Sequence, residues 1–119
     1  MSSSNLMRIF YCSQPVSMRR SFDGLAALVA EYIHQNPKSG YLFVFFGRSG
    51  KMMKVLRWEG DVFSLWSKRL ERGRFQIPQT RSGHIELNYN ELSKYLSDMN
   101  FNTYRILKKK TKKYSRNTF

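Results

Sequence analysis

The chain has 119 residues, with 21 lysines and arginines against 8 acids, a formal net charge of +13 and 15% aromatic residues. That is the length of one strongly basic domain; burying about two-thirds of the surface its unfolded form exposes, it excludes a core joined to a large separate catalytic module. A lone cysteine, Cys12, excludes an internal disulfide, and with only His34 and His84 beside it there are too few ligands for a structural zinc site, so no metal or other cofactor is expected.

Residues 1–7 are Ser-rich and read as a loose N-terminus, without the apolar stretch of a signal peptide. Arg8 to Cys12 reads as a short strand ending before the Pro15 loop. From Phe22 the apolar residues Leu25, Ala26, Leu28, Val29, Tyr32 and Ile33 recur at helical steps. Ser21 is the candidate N-cap and Asp23 suits the first turn. This helix should stop near Gln35, since Pro37 disfavours helical geometry at Asn36, and Ser39-Gly40 completes the turn.

Tyr41 to Phe46 is apolar on both alternating faces, as in a central strand covered on two sides. It is also the longest apolar run and falls far short of the ~20 residues that cross a bilayer, so a soluble, cytoplasmic protein without membrane contact is expected. After a turn at Gly47 to Gly50, Met52 to Trp58 and Val62 to Ser67 form two further strands joined by Glu59-Gly60-Asp61. Phe75 to Ile77 is a candidate edge strand closed by Pro78, and Gln79 to Gly83 an irregular loop. Asn88 and Glu91 have the spacing of a capping box, and Leu87 with Leu92 that of a hydrophobic staple. They predict a second helix from about Tyr89 to Met99, with Leu92, Tyr95, Leu96 and Met99 on one stripe. The expected architecture is a single α+β domain over residues 8–104, an antiparallel β-meander of four to five strands with two packed helices. A basic, disordered tail at 105–119 follows.

Charge placement bears on function more than its total. Residues 105–116 hold Arg105, Lys108, Lys109, Lys110, Lys112, Lys113 and Arg116 with no acid, a charge of +7, which leaves +6 for the first 104 residues. Such a surplus favours polyanions, chiefly nucleic acid. In the body, Arg19 and Arg20 precede the first helix, where free backbone amides and the positive dipole end already favour a phosphate. Gly24, costly inside a helix by about 1 kcal/mol relative to alanine, implies close approach of either a phosphate or a packed neighbour. The densest group is Lys68, Arg69, Arg72 and Arg74, after a strand holding Phe63 and Trp66. It reads as a phosphate-contacting ridge with Trp66 or Phe75 available for stacking, or as a solvated turn with Leu70 and Phe75 as core anchors and Glu71 internally paired. Arg48, Lys51, Lys54 and Arg57, on the adjoining hairpin, extend the same surface.

Catalytic constellations are lacking by comparison. Two-metal chemistry needs clustered carboxylates, and the eight acids are scattered among bases. Single-stranded DNA transposition needs paired histidines beside a tyrosine, whereas His34 and His84 lie fifty residues apart. No local arrangement singles out a tyrosine or serine nucleophile.

The segments Ser17 to Val29, Ser39 to Phe45, Lys54-Val55-Leu56, Trp58-Glu59-Gly60 and Lys68 to Phe75 together resemble the TnpB accessory proteins of insertion-sequence family 66, over about residues 8–99. The family is distinct from the RNA-guided nucleases that share the name TnpB. The resemblance implies a non-catalytic protein of a bacterial mobile element that assists a separate transposase, with DNA and that transposase as partners, and it carries over no catalytic residue. Two departures accompany it: Ser17 stands where the family usually has an Asp, and residues from about Asn102 to Phe119 run past the usual family end. The competing readings are an adaptor that docks on the transposase with incidental charge, and a small nuclease or strand-transfer enzyme.

Overall fold

The computed structural model describes residues 7–78 and 85–96; the expected loop at Gln79 to Gly83 and the basic tail lie outside them. Five strands form one sheet in the order β4-β3-β2-β1-β5, with β1 at Ile9–Tyr11, β2 at Leu42–Phe46, β3 at Met52–Trp58, β4 at Phe63–Arg69 and β5 at Glu86–Leu87. The central position of β2 follows from its composition. Phe43 and Phe45 bury against one layer, Val44 and Phe46 against the other, and all four are essentially inaccessible. A strand with two apolar faces is stable only between two layers.

The first layer is α1 (Phe22–Leu28), which continues as a π-helical turn over Val29–Ile33. Ser21 occupies the N-cap position, but its side chain makes no capping hydrogen bond. The helix stops at Ile33 rather than near Gln35, because His34 adopts a left-handed conformation (φ 59°) and closes the end, its N–H bonded to the Val29 carbonyl. The wider π turn brings Ile33 beneath Val29, both buried, and leaves Tyr32 55% exposed.

The second layer is α2, Tyr89–Leu96 among the described residues, with Phe75 and Ile77 beside it. Its start is the expected capping box: the Glu91 N–H donates to Asn88 Oδ1 and the Asn88 N–H to Glu91 Oε1, both at 2.8 Å. Leu87 and Leu92 are buried in the same cluster, as the staple requires. Replacing Asn88 with alanine is expected to cost about 1 kcal/mol, read as a lower urea midpoint with an unchanged m-value.

The strands β2, β3 and β4 form the expected meander, but the rest of the sheet is mixed. β1 pairs with β2 in parallel, Phe10 opposite Phe43, with α1 in the crossover. β5 pairs antiparallel with β1. That two-residue strand is fixed by its side chains: Arg8 makes a bidentate pair with Glu86, both contacts 2.9 Å, and lies over the Phe10 and Tyr41 rings. Phe75 to Ile77 is not a strand. Its Phe75 N–H reaches the Gly50 carbonyl at 2.7 Å, but the Gln76 and Pro78 carbonyls accept from the hydroxyls of Tyr95 and Tyr11, so side chains hold it across the second layer.

Candidate nucleic-acid interface

Three separate segments meet at the end of the sheet where β2 stops, β3 begins and β4 ends. The first is the β2–β3 turn, closed by the Gly50 N–H on the Gly47 carbonyl (3.1 Å) and by the Gly47 N–H on the Met52 carbonyl (2.8 Å). It carries Arg48 and Lys51. The second is Ser17–Arg20, which reaches this turn because Val16 bridges Gly47 in parallel. Ser17 organises that segment locally: its Oγ accepts the Arg19 N–H at 3.2 Å and its carbonyl the Arg20 N–H at 3.3 Å. The third is Leu70–Arg74, brought back along β3 by the Leu70 N–H on the Lys51 carbonyl (2.8 Å).

Glycines let these segments pack closely. A Cβ on Gly47 would lie 2.7 Å from Met18 Cγ, so the Met18 stem rests on bare backbone. Gly50, at φ +79°, gives the same seat to the Arg74 stem, whose Cβ is 3.2 Å from where a side chain would start. At Gly24 the close neighbour is Arg20, with Cβ 3.3 Å and Cγ 3.5 Å from the absent Cβ. The residue that comes close to Gly24 thus belongs to the basic segment before the helix and not to the sheet.

The expected contact residues separate into two groups. Arg19, Arg20, Arg48, Arg69, Arg72 and Arg74 are exposed and Lys51 half-buried, all at this one end. Asp23 and Glu71 are the acids that accompany them. Lys54 and Lys68 are engaged internally instead. Lys54 Nζ donates to the Met18 carbonyl at 2.7 Å, which ties the Arg19–Arg20 segment to β3, and burial lowers its pKa below the ordinary lysine value. Lys68 is only 7% exposed; its Nζ donates to the Tyr95 carbonyl at 2.7 Å and lies 5.7 Å from the Phe75 ring. Lys68 shares a face with Trp66 by strand alternation, and that face is the second core layer. Neither aromatic is free for base stacking: Trp66 is buried, and Phe75 packs on Phe46 and Tyr95 at centroid distances of 6.1 and 6.4 Å. Arg57 also lies away from this end, paired with Ser64. Lys108, Lys109, Lys110, Lys112 and Lys113 lie outside the described residues.

The opposite end of the sheet differs in charge. Arg8 is paired with Glu86, Lys38 caps the Trp58 ring at 4.8 Å, and the β3–β4 hairpin bears Glu59 and Asp61. The body is thus polar along its strands, basic at one end. What such an end can do chemically is bind anions: several guanidinium groups on three converging backbones offer fork-shaped donors suited to phosphate. Cys12 is buried and desolvation raises its thiol pKa, the state of an inert packing residue. Among the described residues no three His, Cys, Asp or Glu side chains gather in a way that could hold a metal ion, and no helix is long and apolar enough to cross a membrane.

The model of the IS66 Orf2-like protein family matches residues 7–105, ending where the lysine-rich segment begins. Two Sinorhizobium fredii proteins (strain NBRC 101917 / NGR234) are similar, both named only as uncharacterized. Protein y4hO is 38% identical over 83% of this chain and 86% of its own length. Protein y4jC is 30% identical over 90% of each. No solved structure matches. The extent of the family match and the two similarities over most of each chain lead to one conclusion: the chain belongs to the IS66 Orf2-like family, the transposition-associated accessory proteins known as TnpB of that insertion-sequence family.

Proposed function

We propose that this protein is a non-catalytic accessory factor that binds DNA through the basic end of its sheet and acts beside the transposase of the same element. The observation that carries the reading is the convergence of Ser17–Arg20, the β2–β3 turn and Leu70–Arg74, which puts six exposed arginines together although they span residues 19 to 74. Arg19, Arg20, Arg48, Arg69, Arg72 and Arg74, with Lys51, are the phosphate contacts; Lys54 and Lys68 hold the end together from within. Contacts of this kind position a protein on a backbone without reading sequence. Lys108, Lys109, Lys110, Lys112 and Lys113 add affinity of the same non-specific type.

The test is a salt-titrated binding assay with element-end duplex, random duplex and single strand, using the full chain and a chain ending at residue 104. The full chain is expected to bind duplex with an affinity that falls steeply with salt. Removing residues 105–119 should weaken binding and flatten the slope without abolishing it. Binding that is undetectable or independent of salt overturns the reading.

A second reading, a protein adaptor of the transposase without affinity for DNA, is favoured by Tyr89 and Met7, exposed apolar residues beside Arg8 and Glu86 at the other end. Co-purification with the transposase after nuclease treatment, with no retention of free DNA, would support it over the first.

A further inference from the structure

Among the described residues, β4 forms an edge of the sheet. In the β3–β4 ladder the Glu59 N–H bonds the Val62 carbonyl and the Leu70 N–H the Lys51 carbonyl. With the register Val55 opposite Trp66, antiparallel alternation turns the backbone groups of Ser64, Trp66 and Lys68 towards β3 and those of Leu65, Ser67 and Arg69 outward. Among the described residues no strand pairs with that outer side. After Leu70 the described chain returns towards the β2–β3 turn, its Phe75 N–H on the Gly50 carbonyl. β4 has seven residues in unbroken register, without the bulge or proline that blunts most edges.

We propose that this edge pairs with the same edge of a second copy, so that two β4 strands lie antiparallel in one ten-stranded sheet. Charge selects this occupant and this direction. β4 is entered from Glu59 and Asp61 and left through Arg69. With Trp66 opposite its own counterpart, Leu65 faces Ser67 and Phe63 faces Arg69, and each Arg69 becomes a diagonal neighbour of Asp61 of the other copy. Parallel pairing would instead stack Arg69 on Arg69. Two-fold pairing also sends the two basic ends to opposite ends of the joined sheet, the arrangement of least repulsion between two chains of net charge +13. The dimer presents two separate phosphate-binding ends, each able to hold its own DNA segment.

Sedimentation equilibrium of the nuclease-treated full chain tests this, combined with residue-resolved amide exchange. The expected mass rises with concentration towards twice the 14.2 kDa of one chain. Self-association tightens as salt screens the like net charges, the opposite of the trend for DNA, so failure here is distinguishable from failure of the DNA-binding reading. Exchange slows with concentration at Leu65, Ser67 and Arg69 and stays constant at Ser64, Trp66 and Lys68. Ser67→Pro removes an N–H that β3 does not use, a position where an edge strand accepts proline, and weakens the dimer at least about tenfold. Ser67→Lys keeps the ladder and sets two lysines diagonally across the joint, with the same effect in smaller degree. A chain that stays monomeric at all concentrations, a dimer that survives both substitutions, or inward and outward amides that slow together overturns the proposal.

Discussion

Replacing Arg69, Arg72 and Arg74 together with alanine is expected to reduce the salt dependence of duplex binding by about 0.9 logarithmic units for each phosphate that the variant no longer neutralises. The three residues sit on exposed backbone at the end of β4 and just beyond it, and none is committed to an ion pair among the described residues. Their removal takes away charge and leaves the packing in place, apart from the Arg74 stem on Gly50 and the weak Arg69 Nη1 contact to Met52 Sδ at 3.8 Å. Fluorescence anisotropy of a labelled duplex across a range of salt concentrations measures the slope directly. Lys68→Met is the control: it removes one positive charge where the triple variant removes three, and takes it from a buried ammonium bonded to the Tyr95 carbonyl. It should leave the slope unchanged and alter stability instead. Equal slopes for the triple variant and the parent would remove these arginines from the interface.

The largest effect on stability is expected at Phe45, whose ring is fully buried between β2 and the first helical layer. Truncation to alanine should cost about 3–5 kcal/mol, a large share of the roughly 5–15 kcal/mol that is usual for a whole domain. Chemical denaturation would register it as a collapse of the midpoint, with much of the variant unfolded near physiological temperature. Phe75→Ala, on a half-buried ring held by Phe46 and Tyr95, should cost visibly less. If the two truncations cost the same, β2 would not be the centre of the core.

Local signals in the sequence located most elements. The two-faced apolar run at Tyr41 to Phe46, the glycine turn before Val62 and the reciprocal Asn88–Glu91 cap each specify a structure through neighbours a few residues away. Long-range pairing was less legible. The parallel partnership of β1 with β2 was hinted at by a helix lying between two apolar strands, but the reading as a meander missed it. β5 is too short to have a period, and it exists because Glu86 meets Arg8. Lys68 illustrates a missed local signal: its alternation with Trp66 already placed it on a core-facing side of β4. The union of the basic segments could not have been read from any window, since strand register and the Val16–Gly47 bridge create it.

The interior position of β1 constrains how the molecule can be made. Ile9 to Tyr11, synthesised first, are flanked on one side by β2 and on the other by β5, which emerges some seventy-five residues later with Glu86 and Leu87. Until then the nascent chain holds the apolar side chains of Ile9 and Tyr11 beside an unpaired ladder, so the sheet closes only after Leu87 has emerged. Non-local closure of this kind is slow and leaves chains exposed to aggregation. A ribosome that stalls before residue 85 would release a sticky fragment rather than a smaller working domain.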